Sequence, residues 1–183
     1  MASIIFEESD ISKEIANYHL PRYDELIKLD LFMNQLVDIL NEYLSVFLIP
    51  GEEKTVTPSM INNYVFKHII PAPQHKKYNK EQLAQLIVIG ILKQVLSISD
   101  IGEMLKMQRE QYPTDIAFNY FCTEVEKALK VTFEIRDFSE IEKTQPSKVT
   151  PLTKKVRSAV ISFANKIYVK QSIYYETKSL PQE

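Results

Sequence analysis

The side chains best equipped for chemistry in this chain are polar and cationic rather than nucleophilic. Ser59, Asn62, Asn63, Tyr64 and Lys67 crowd into one short stretch, and Lys76, Lys77, Tyr78 and Lys80 follow closely. A carboxamide can satisfy both edge atoms of an adenine in the major groove, and serine, tyrosine or lysine can reach phosphate oxygens. These residues are therefore the candidate contacts to double-stranded DNA. Tyr64 carries two readings, a core aromatic with a wet hydroxyl or a phosphate donor. The bland reading of the asparagines and lysines is a solvated surface.

Other chemistry finds little support. His19, His68 and His75 have no carboxylate or cysteine partner at catalytic or metal-binding spacing, and Cys122 is the single cysteine. The three glycines, Gly51, Gly90 and Gly102, are too far apart to form a phosphate-cradling loop. The expectation is a protein that is not an enzyme and carries no cofactor or metal. The first residues lack a basic, then apolar, leader, and the apolar run 86–92 is too short to span a bilayer, so a cytoplasmic location without membrane contact is expected.

Charge is distributed unevenly. The net value of −2 hides a basic middle, since residues 54–98 hold six lysines and one acid, Glu81. Residues 1–53 hold eleven acids against three basic residues. A basic centre on a helical frame is the footprint of a nucleic-acid binder.

Local signals set the elements that must position these residues. Asp30 can cap a helix to about Leu48, with an apolar stripe of Met33, Leu36, Val37, Leu40, Leu44 and Phe47. Thr57 before Pro58 starts a helix that runs to about His68, with Ile61, Val65 and Ile69 inward and Ser59, Asn62, Asn63 and Lys67 outward. Pro71 and Pro73 end it, and residues 71–78 form a short basic crossing. Asn79 with Gln82 resembles a capping box for a helix to Val95 that is apolar nearly all round. Ser97 with Asp100 repeats the device for a helix to about Gln111. A further helix carries Ile116, Ala117, Tyr120, Phe121, Val125, Ala128 and Leu129. Residues 131–135 read as a short strand or a frayed helix end, 138–148 as a loop, and a last helix begins at Thr150 and Pro151. Residues from Ser179 onward read as a loose tail.

The middle of the chain resembles the winged helix-turn-helix of MerR-type regulators. In that family a helix bearing I-R-Y-Y leads to a G-L-hydrophobic-P exit, a wing ending in R-x-Y, a long helix and an F-S-hydrophobic-acid-acid-I joint. Here Ile61-Asn62-Asn63-Tyr64, Ile69-Ile70-Pro71, Lys76-Lys77-Tyr78 and Leu96-Ser97-Ile98-Ser99-Asp100-Ile101 follow in the same order. Asn62 and Lys76 stand where that family has arginines, and both keep hydrogen-bond donors without the guanidinium fork. Over roughly residues 20–110, Leu20-Pro21-Arg22-Tyr23-Asp24-Glu25-Leu26 and Asp30-Leu31-Phe32-Met33-Asn34-Gln35 are also similar to an uncharacterised bacterial family, sometimes called YkrK-like, that carries a domain of unknown function.

The resemblance implies a mainly α chain in which a MerR-like winged helix-turn-helix head, residues 29–110, is flanked by an N-terminal arm, 1–28, and a helical lobe, 111–183. The arm is expected to pack loosely or to swap between subunits. The lobe could complete the core, form a homodimer interface or hold an unknown small-molecule effector. The function implied is a DNA-binding transcriptional regulator. The alternative is a winged-helix protein-interaction module that does not read DNA.

Overall fold

Helix α4, Lys80–Leu92, is the axle of the molecule. The computed structural model describes residues 5–134 and 149–179. The side chains of α4 are buried from Gln82 through Leu92, except for Val88, which is half-buried. A helix that is apolar around its whole circumference needs cover on every side. Helices α2 (Met33–Leu44), α5 (Ile98–Gln111), α6 (Thr114–Phe133) and α7 (Pro151–Ser179) supply it within one chain. The remaining elements are α1 (Asp10–Ala16), α3 (Pro58–Phe66), two 3-10 turns (Phe6–Glu8 and Ser45–Phe47) and two-residue strands β1 (Leu31–Phe32) and β2 (Lys77–Tyr78). The chain is mainly helical, and among the described residues no helix is long and apolar enough to cross a membrane.

Most helix starts follow their local signals. Asn79 and Gln82 form a reciprocal capping box, with the Gln82 N–H donating to Asn79 Oδ1 at 2.9 Å and the Asn79 N–H to Gln82 Oε1 at 2.8 Å. The Asp100 N–H donates to Ser97 Oγ at 3.1 Å. The start of α2 differs from expectation. Asp30 does not cap it, because Leu31 and Phe32 are held extended by pairing with Tyr78 and Lys77. Gln35 Oε1 instead accepts from the Phe32 N–H at 3.0 Å. Helix α2 stops at Leu44 and a 3-10 turn, Ser45–Phe47, finishes the stripe. Helix α4 ends at Leu92 rather than Val95.

Residues 5–28 are not a loose arm. Phe6, Ile15, Leu20 and Leu26 are buried. The segment runs antiparallel along α6 through three polar anchors. Ser12 Oγ donates to the Phe133 carbonyl at 3.3 Å, the Leu20 N–H to Glu126 Oε1 at 2.9 Å, and the Tyr23 N–H to Asn119 Oδ1 at 2.7 Å. Helices α6 and α7 run parallel, since Glu124 pairs with Arg157 at 3.2 Å and Phe133 stacks edge-on against Tyr168. Phe6 closes this corner against Phe133, Tyr168 and Tyr175. Residues 131–133 are helical, which resolves the strand-or-helix ambiguity there; Ile135 and the expected loop 138–148 lie outside the described residues, as does the expected tail beyond Ser179.

Cys122 is a core residue. Burial pushes its thiol up to about 12, and its Sγ faces the Pro21 carbonyl at 3.6 Å. A thiol so held is a packing group rather than a nucleophile.

Candidate nucleic-acid interface

Thr57 and Pro58 begin α3 as their types require. Thr57 Oγ1 accepts from the Met60 N–H at 3.4 Å, and Pro58 takes the first helical position, where its missing N–H costs nothing. Ile61 and Tyr64 turn inward and are buried. Ser59, Asn62, Asn63, Phe66 and Lys67 are exposed. The helix thus has a sharp division between an apolar underside and an outer face rich in carboxamides.

The exit from α3 is a Schellman motif closed by a histidine. The Ile69 N–H donates to the Tyr64 carbonyl at 2.9 Å and the His68 N–H to the Val65 carbonyl at 3.0 Å. His68 has φ 56°, a left-handed conformation usually given to glycine. Ile69 and Ile70 are then buried, and Gln82 Nε2 holds the Pro71 carbonyl at 3.0 Å.

The basic crossing is a minimal hairpin. Gln74 and Lys77 exchange backbone hydrogen bonds at 3.0 and 2.8 Å, which leaves His75 and Lys76 as the two turn residues. Both are left-handed, with φ 49° and 63°, as a type I′ turn demands. Such turns favour Asn-Gly, because a Cβ in this region costs roughly 1–2 kcal/mol per residue. His68, His75 and Lys76 are the non-glycine residues of positive φ among the described residues. All three fall in this segment. Strand β2 then pairs with β1, tying the hairpin to the start of α2.

Several candidate contacts sit elsewhere than on the presented face. Tyr64 and Tyr78 are buried in the core, and burial raises both phenols above their ordinary value. Their rings are packing groups. Lys77 lies with Nζ 4.9 Å from the centre of the Phe32 ring, and Lys80 with Nζ 4.4 Å from that of Tyr23. Those two ammonium groups lean on protein aromatics rather than standing clear in solvent. Ser59, Asn62, Asn63, Lys67 and Lys76 are exposed. Neither Lys67 nor Lys76 pairs with an acid among the described residues.

Lys93, which follows the last residue of α4, is half-buried. Its Nζ donates to the Thr55 carbonyl and approaches Met60 Sδ at 3.3 Å, and burial lowers its pKa. It ties the entry of α3 to the axle.

Two features escaped sequence reasoning. Phe66 is 81% exposed on the outer face of α3. A lone phenylalanine in an apolar-rich run carries no outward signal. The left-handed exit did have one, since His68 occupies the glycine of the G-L-hydrophobic-P pattern.

A family described as a domain of unknown function, DUF1836, matches residues 21–124, more than half of the chain. No curated protein and no solved structure matches it.

Proposed function

We propose, from the premise that the chain belongs to the DUF1836 family, that it is a DNA-binding regulator with a MerR-like winged helix-turn-helix head. In this reading α3 is the recognition helix, the hairpin at His75 and Lys76 is the wing, and α2 is the supporting helix. One observation carries the reading. The exposed carboxamides of Asn62 and Asn63 and the unpaired Lys67 and Lys76 belong to two adjacent elements, α3 and a hairpin whose turn keeps histidine and lysine in left-handed backbone. Asparagine would contact base edges, and the lysines phosphates. Two heads in a homodimer would read a roughly palindromic site in the cytoplasm.

The test is fluorescence anisotropy of a labelled duplex at about 50 and 200 mM salt. If only Lys67 and Lys76 neutralise phosphates, affinity per copy should fall about tenfold between the two; if Lys77 and Lys80 join them, about a hundredfold. Lys76→Glu should weaken binding at least about tenfold. Absence of binding at low salt sinks the proposal. Sedimentation with and without duplex tests the dimer.

A second reading rests on Phe66. A fully presented aromatic on α3 suits a protein groove better than a phosphate backbone. A winged-helix interaction module would retain a protein partner after nuclease treatment and lose it in Phe66→Ser.

A further inference from the structure

The corner where α5 turns into α6 leaves a cavity against the axle. It has a volume of about 310 Å³ and is bounded by α4, α5, α6 and the first turns of α7. Its floor is Ala84, Gln85 and Val88 of α4, and its walls include Phe121 and Val156. This is within the range of small-molecule sites and about twice the ~150 Å³ apolar cavity that accepts benzene. Two fused rings therefore fit it by size.

Its polar groups are few and specific. Gln85 is 3% exposed, and its Oε1 has no hydrogen-bond partner. A buried acceptor left in that state costs free energy, which a donor in the cavity would recover once the carboxamide turns its oxygen toward it. The Tyr120 hydroxyl is also buried at the wall beside Thr153, without a well-formed hydrogen bond. None of the residues bounding the cavity carries a formal charge. An ionic ligand would therefore meet an apolar wall without a counter-charge, and its desolvation would oppose entry.

We propose that this cavity is a binding site for a neutral, mostly apolar small molecule of about two rings, held by one hydroxyl or amide group at Gln85. The carboxamide can rotate to present either its oxygen or its nitrogen, so it can meet a donor or an acceptor. The site stands on the cavity and its polar floor and does not depend on DNA binding.

Matched probes test it on the full chain. 1-Naphthol, naphthalene and 1-naphthoate share a skeleton and differ in having a hydroxyl, no polar group and a charge. Titration should show saturable 1:1 binding of 1-naphthol, with 1-naphthoate at least about tenfold weaker. Gln85→Leu keeps the volume and removes the polar floor. It should weaken 1-naphthol about tenfold, leave naphthalene within about twofold, and raise the thermal midpoint of the free protein. Ala117→Phe, from the α6 wall, should weaken both neutral probes. The proposal is overturned by non-saturable 1-naphthol binding, by 1-naphthoate binding equally well, or by a Gln85→Leu protein that holds 1-naphthol as tightly as before.

Discussion

Residues 57–79 and the face where residues 6–23 meet α6 and α7 follow opposite rules. In the first, three side-chain-bearing residues stand in left-handed backbone, and the turn residues His75 and Lys76 point to solvent. In the second, polar groups meet partners at short range. Arg22 donates to both carboxylate oxygens of Glu126 at 2.7 and 2.6 Å and to the Leu20 carbonyl at 2.6 Å. Around them Phe6, Phe133, Tyr168 and Tyr175 form an aromatic corner. One region holds unfavourable backbone for the sake of what it presents, and the other supplies the stability that permits it.

Removing the corner should have the largest effect. Phe133 is 1% exposed, and Phe133→Ala should cost about 3–5 kcal/mol in denaturant unfolding. A small loss would mean that the corner is not the stabilising region. Next comes Glu126→Gln, expected to cost about 2 kcal/mol at neutral pH. Burial pushes the Glu126 carboxyl up, but hydrogen bonds from Arg22 and the Leu20 amide outweigh it and hold the group below its ordinary value. A carboxyl lowered on folding adds stability above its unfolded value of about 4.3 and loses it as pH falls through the folded one. The difference between Glu126→Gln and the parent should therefore shrink in acid. A pH-independent difference would break the assignment.

The hairpin should respond with opposite sign. Replacing His75 and Lys76 together by Asn and Gly should raise stability by about 1–2 kcal/mol while lowering affinity for duplex DNA. A gain in both would separate the turn from function. The smallest effects concern two helical glycines. A Cβ on Gly102 would meet Ile69 Cγ1 at 3.5 Å, an ordinary contact, so Gly102→Ala should stabilise by about 0.5–1 kcal/mol. A Cβ on Gly90 would lie 2.5 Å from Leu44 Cδ1, so Gly90→Ala should destabilise by about 1 kcal/mol despite better helix propensity.

What could be read from the chain beforehand follows the range of the interactions. The starts of α3, α4 and α5 were legible because Thr57, Asn79 with Gln82, and Ser97 with Asp100 act within three residues. The burial of α4 was legible from its composition. The role of residues 5–23 was not, because Asn119, Glu126 and Phe133 anchor them from about a hundred positions away. The same holds for Asp30, where pairing with Lys77 and Tyr78 overrides a local cap. For the candidate site, the outward face of α3 followed from periodicity. The burial of Tyr78 and the cation–π seats of Lys77 and Lys80 depended on neighbours in space. The His75–Lys76 turn defies ordinary turn chemistry, so no residue-type rule could have found it.

The seat of Phe6 has a consequence for biosynthesis. Its partners Tyr168 and Tyr175 leave the ribosome more than a hundred and fifty residues later. Until they emerge, Phe6 has only part of its final seat, and Phe133 lacks Tyr168. Until α7 has emerged the nascent chain therefore carries sticky aromatic surface, and the docking of α7 is the event that seals it.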